Sequence, residues 1–168
     1  MNPLGTIDLE SKSAEMTRSI GAAIGRQLRR GDVVLLNGDL GAGKTTLTQG
    51  IAVGLGVDEP VQSPTFTLVA EHDGHDTNGN ALRFYHLDLY RLRDEADLES
   101  FGYDQYLEPA DGVSVIEWPE RAGTWLPDRY LLVDLLIDGP DRRRLRIASI
   151  GGFNVDLSDV GGLRLIDR

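Results

Sequence analysis

The 168-residue chain contains no cysteine, which excludes a disulfide framework, thiolate zinc ligation and a cysteine nucleophile together. It has no apolar run approaching the roughly 20 residues that span a bilayer, and its first dozen residues lack the basic start and apolar stretch of a secretion signal. The expectation is a cytoplasmic chain with no membrane attachment. Positive charge is scarce as well: 17 Lys and Arg stand against 27 Asp and Glu, a formal net charge of -10. Such a surface repels phosphate backbones and forgoes counterion release, so autonomous nucleic-acid binding is disfavoured. The one basic cluster, Arg142-Arg143-Arg144 with Arg146, reads as a solvated turn beside two strands.

What remains is the composition of a globular protein, 40% hydrophobic and 26% charged, at a length that suits one domain. Residues 4–9 read as a short first strand. Ser11 or Ser13 can cap a helix on which Met16, Ile20, Ile24 and Leu28 recur every four positions, with Gly31 as its end. Asp32-Val-Val-Leu-Leu36 then reads as a buried strand, and residues 44–55 as a helix stopped by Gly56. Residues 66–71 and 82–87 look like antiparallel strands joined by the polar loop 72–80, whose His72 and His75 fit no metal pattern. Residues 113–116 form another apolar strand, and 130–137 with 144–149 a hairpin. A strand-loop-helix start followed by hairpins indicates an α/β chain with a mixed sheet flanked by helices. Residues 1–150 are assigned to this domain and residues 151–168 to a glycine-rich tail, expected to be mobile in part.

The chemistry concentrates in Gly38-Asp-Leu-Gly-Ala-Gly-Lys-Thr45, a G-x-x-x-x-G-K-T pattern that a random chain of this length shows on the order of once in a hundred. A buried strand before it and a helix after it supply the setting of a P-loop NTPase. Glycines let successive backbone N–H groups close around an anion, and the following helix presents its unpaired donors. Asp39, Leu40, Gly41, Ala42, Gly43, Lys44, Thr45 and Thr46 are therefore the candidate ATP-binding set. Lys44 is placed to reach the β- and γ-phosphates, and the Thr45 hydroxyl to meet Mg²⁺. Hydrolysis further needs a second metal anchor and a group that positions water. Asp88, ending Phe84-Tyr-His-Leu-Asp88, and Glu117, ending Val113-Ser-Val-Ile-Glu117, are acids where buried strands emerge. The residues alone leave open which acid serves metal and which serves water.

Taken with Ser63-Pro-Thr-Phe-Thr67, His86-Leu-Asp-Leu-Tyr-Arg91 and Glu117-Trp-Pro119, the loop resembles the TsaE (YjeE) family over roughly residues 5–149. The resemblance implies the ATPase of bacterial tRNA threonylcarbamoyladenosine biosynthesis, acting on the TsaB and TsaD proteins and meeting tRNA only through them. It implies that Thr45 and Glu117 hold Mg²⁺, that Asp88 is the catalytic carboxylate beside catalytic Lys44, that Thr65 belongs to a switch-like loop, and that Thr17 contacts nucleotide. It also implies turnover that is slow without partners. Trp118 is expected near the site or in the core. The alternative is a small-molecule P-loop kinase, which would need an arginine-rich lid that the sequence does not display.

Overall fold

The computed structural model describes residues 6–64 and 67–166. The chain begins with strand β1 (Thr6–Ser11) and helix α1 (Ala14–Gln27). Ser13 caps α1, its hydroxyl accepting from the Met16 amide at 3.1 Å, which satisfies one of the unpaired N–H groups at a helix start. The helix ends at Gln27, short of Gly31, with Leu28 in extended conformation. The Asp32 carboxylate accepts the Arg29 amide at 2.7 Å and so offers the backbone a turn in place of another helical bond.

Strand β2 (Val33–Asn37) leads through the glycine loop into helix α2 (Lys44–Gly54). The hairpin β3 (Val69–His75) and β4 (Ala81–Asp88) follows. Its first strand runs from Val69 to His75, three to four residues later in the chain than the 66–71 the sequence pattern suggests: His72 and His75 are strand residues paired with Phe84 and Ala81. The turn is confined to residues 76–80, where the Asp76 carboxylate accepts the Asn78 and Asn80 amides, each at 2.9 Å. Polar residues can continue β3 because it is the edge strand of the sheet. Two short helices that the sequence pattern did not disclose, α3 (Ala96–Ser100) and α4 (Asp104–Leu107), lead to β5 (Gly112–Glu117). The chain closes with β6 (Tyr130–Ile137), β7 (Arg143–Ile150) and the two-residue β8 (Arg164–Leu165).

These strands form one mixed sheet in the order β3-β4-β5-β2-β6-β7-β1-β8. The central strands β4, β5, β2 and β6 run parallel, and the remaining pairings are antiparallel. Strand alternation sends Val34 and Leu36 to one face, where they meet Ile20 and Ile24 of α1 and Leu47 and Ile51 of α2. Val33 and Leu35 face the other side with Leu98 of α3 and Tyr103 and Tyr106 around α4. Burying each such side chain contributes roughly 1.5–3 kcal/mol. The tail delivers Phe153, Leu157 and Val160 to the first core, and β8 pairs with β1. Among the described residues no helix is long and apolar enough to cross a membrane.

Candidate nucleotide-binding site

Parallel pairing brings the C-terminal ends of β2, β4 and β5 together. The register sets Glu117 opposite Asp88 on one side and Leu36 on the other, so both acids stand beside the glycine loop that leaves β2. In an open sheet with parallel central strands, the crevice beyond the carboxyl ends is where ligands bind. Gly43 caps α2 with φ 104, and Gly41 has φ 79, left-handed backbone that side-chain-bearing residues rarely adopt. The loop therefore turns sharply enough to present the start of α2 to the crevice.

Lys44 is only 5% exposed. Its ammonium donates to the carbonyls of Gly38 and Asp39, the latter at 3.4 Å, and lies 3.6 Å from the centre of the Trp118 ring. Burial lowers the Lys44 pKa, opposed by the negative charges of Glu117, Glu120, Asp88 and Asp39. Trp118 has φ 58, the one left-handed non-glycine among the described residues. Backbone strain of this kind is found where surroundings fix it, and here it lays the indole against Lys44 and against Tyr90, 4.9 Å between ring centres.

Thr45 Oγ1 lies 2.9 Å from Ser63 Oγ, which brings the Ser63-Pro64 segment to the loop; Thr65 and Phe66 lie outside the described residues. Glu117 is 2% exposed and its Oε2 is held by His86 Nε2 at 2.5 Å. Asp88 is half-buried, and its Oδ1 accepts the Tyr90 amide at 3.0 Å. Burial raises the Asp88 pKa and the Glu117 charge adds to the rise, while the Tyr90 hydrogen bond, His86 and Lys44 pull the other way.

A cavity of about 290 Å³ joins Leu40, Gly41, Gly43, Lys44, Thr45 and Thr46 of the loop to Ser63, Asp88, Glu117, Tyr90 and Trp118. Asp39 and Ala42 belong to the same loop and contribute backbone to it, the Ala42 amide donating to the Asp39 carbonyl at 3.0 Å. Arg91 lines an adjoining groove with Leu40, Ser63 and Asp88. Thr17 is not in this lining. It is buried on α1 with its hydroxyl 2.7 Å from Ser11 Oγ and 3.2 Å from the Ser13 carbonyl. A wider cleft of about 880 Å³ lies at the opposite end of the parallel strands, around Arg26, Arg29 and Arg129. Size does not decide between them, because only the smaller cavity gathers a glycine loop, a buried lysine and two carboxylates.

The oxygen donors suit Mg²⁺, a hard cation that takes a hydroxyl and one or two carboxylates and leaves other positions to phosphate and water. His86 engages only one oxygen of Glu117, and the Thr45 hydroxyl sits at the head of α2. No group of three His, Cys, Asp or Glu suited to a metal occurs among the described residues, so a cation here would rest on one hydroxyl, one or two carboxylates and the phosphates it accompanies. Sequence reasoning missed the contributions of Tyr90 and Ser63, which lie inside recognised motifs, and of Arg143, whose guanidinium donates to the Gly41 and Ala42 carbonyls of the loop without any local signal in the sequence.

The family model for threonylcarbamoyl adenosine biosynthesis protein TsaE matches residues 11–145. The tRNA threonylcarbamoyladenosine biosynthesis protein TsaE of Nostoc sp. is 43% identical over 162 residues, covering 92% of this chain and 94% of that protein. The protein of the same name from Bacillus subtilis is 39% identical over 137 residues, 82% of each chain. The crystal structure of Bacillus subtilis YdiB is similar with a TM-score of 0.68, at 30% identity, over 90% of both chains. The match spans the glycine loop, both strand-end acids and the strands that carry them, and the chain belongs to the TsaE family.

Proposed function

We propose that this chain binds and hydrolyses Mg-ATP as an accessory protein of tRNA threonylcarbamoyladenosine modification, acting in the cytoplasm on a TsaB–TsaD complex. The observation that carries this reading is the convergence of Lys44, Asp88 and Glu117 at the mouth of the glycine loop. The amides at the head of α2 and the Lys44 ammonium would bind the phosphates. Thr45 and Glu117 would hold Mg²⁺, which offsets charge on the transferring phosphoryl group. Asp88, in its ionised form, accepts a hydrogen bond from the attacking water and orients it. A carboxyl whose pKa is raised is the stronger base for that proton. Trp118 and Tyr90 wall the site and limit water around Lys44.

Family membership supports the biosynthetic role, and the net charge of -10 supports a division of labour in which partners hold tRNA while this chain responds to nucleotide. Little supports the kinase alternative, since Arg143 and Arg146 of the basic cluster are engaged with backbone carbonyls and with Asp8 and do not arch over the site.

The test is Mg-dependent ATP hydrolysis by the chain alone and with purified TsaB and TsaD, beside D88A and E117A. Partner-stimulated phosphate release that both variants lose is the expected result. Turnover indifferent to the partners would remove the biosynthetic reading, and phosphate appearing on a metabolite would replace it with the kinase.

A further inference from the structure

The basic cluster that the sequence presents as a solvated turn resolves, in the fold, into residues with separate tasks. Arg146 Nε donates to Asp8 at 3.1 Å. Arg143, at the start of β7, instead spends its whole guanidinium on backbone carbonyls. Nε donates to Ala42 O at 3.0 Å and Nη2 to Gly41 O at 3.1 Å, both in the glycine loop. Nη1 donates to Gly139 O at 3.1 Å and Arg142 O at 2.8 Å, both in the β6–β7 turn. We propose that Arg143 is a positioning residue for phosphate binding, a fork that fixes the peptide planes of the glycine loop and ties that loop to the β6–β7 turn.

The reasoning starts from the peptide plane. In a trans peptide the carbonyl of one residue and the N–H of the next point in opposite directions. Drawing the Ala42 carbonyl out toward Arg143 therefore turns the Gly43 N–H to the other side. Drawing out the Gly41 carbonyl fixes the plane whose N–H, that of Ala42, closes the turn onto Asp39 O at 3.0 Å. An inward carbonyl would set partial negative charge against a phosphate; the guanidinium removes that alternative with charge-assisted bonds, each stronger than a neutral one. Only a planar guanidinium reaches four carbonyls at once, and an ammonium is a point charge that cannot reproduce the fork. Arg143 touches no reacting atom, and it is held in place by its pairing with Ile137 and Ser11 on either side.

The inference rests on the nucleotide reading of the site, and its test separates the two. Binding of a fluorescent N-methylanthraniloyl ADP with Mg²⁺ is measured for the full chain and for K44A, R143M, R143K and R146M, with the thermal midpoint of each nucleotide-free protein. Loss of binding in K44A reports on the nucleotide site itself. The expected result is a loss of affinity of about tenfold or more in R143M and a clear loss in R143K, which keeps charge and stem, while R146M stays within about twofold of wild type. Added methylguanidinium is expected to recover part of the R143M affinity and to leave wild type unchanged. Wild-type affinity in R143M or R143K overturns the inference and leaves the nucleotide site standing. A loss in R146M as large as that in R143M and following the thermal midpoint also overturns it, by making the effect one of stability. No binding by wild type overturns both.

Discussion

The Asp88 carboxyl loses hydration at the end of β4 and faces Glu117 across the strand pair, and both effects favour its protonated form. An aspartate whose folded pKa lies above its unfolded value contributes stability that is full below about pH 4 and is lost as pH rises through the folded pKa. At neutral pH the ionised group is thus a cost the fold bears for its position. D88N keeps an oxygen to accept the Tyr90 amide and removes the charge. It is expected to stabilise the nucleotide-free protein at pH 7 by up to about 1 kcal/mol, discounted for the group's partial exposure, with the gain vanishing below about pH 4. Urea denaturation at the two pH values checks this. The same substitution is expected to lower hydrolysis by about 10²- to 10⁴-fold while nucleotide binding is retained. A D88N protein that hydrolyses ATP at the wild-type rate would remove Asp88 from the mechanism. The raised pKa further predicts that the acid limb of the rate profile falls at a higher pH than an ordinary aspartate would give, a displacement that pH–rate measurements in the presence of partners would reveal.

At the scale of elements, the pair α1–α2 carries the site, because α2 begins with Lys44 and Thr45. The helices approach closely enough that a Cβ on Gly21 would lie 2.5 Å from the Leu47 carbonyl and 2.9 Å from the Ile51 amide nitrogen. Two effects compete in G21A. Alanine gains about 1 kcal/mol of helix propensity over glycine, whereas overpacking costs typically 1–3 kcal/mol, and here the obstacle is helix backbone that has no rotamer to change. Overpacking wins, and G21A is expected to lower the free energy of unfolding by about 1–2 kcal/mol. A neutral or stabilising result would mean that the two helices separate at little cost. What the sequence made legible follows the same division between local and distant. The strand, glycine loop and helix over residues 33–54 are legible because run, turn and period are contiguous. Asp88 and Glu117 are legible as acids ending apolar strands, but their adjacency depends on β4–β5 pairing across 29 positions of sequence. The β3 boundary is misread because an edge strand tolerates the polar residues that otherwise signal a loop. The Arg143 contact joins residues 101 apart, and nothing local distinguishes that arginine from its neighbours. Thr17 is tied to nucleotide by resemblance alone, and in the fold its hydroxyl lies 2.7 Å from Ser11 Oγ.

For the whole molecule, two features of the surface and core set how the chain works with others. The tail closes the first core with Phe153, which is 2% exposed, so F153A is expected to cost about 3–5 kcal/mol in urea denaturation. Charge sets the second feature. With a net of -10, long-range attraction to a polyanion is missing, and counterion release from a nucleic acid needs several cations acting together. The arginines around the wide cleft, Arg26, Arg29, Arg30 and Arg129, are the nearest thing to such a group, but Arg30 donates to the Ala81 carbonyl, Arg129 is within 3.5 Å of Asp32 and sits 5.0 Å from the Phe153 ring, and Asp76 lines the same cleft. Local positive charge of this size is outweighed beyond a Debye length of about 8 Å at physiological salt. The isolated chain is therefore expected to show no retention of tRNA in filter binding at 0.15 M salt up to about 100 μM protein, and tRNA is expected to associate only when TsaB and TsaD are present. Salt-sensitive retention by the chain alone, abolished by R26A with R29A, would place an RNA contact at the cleft and end the division of labour between nucleotide and tRNA.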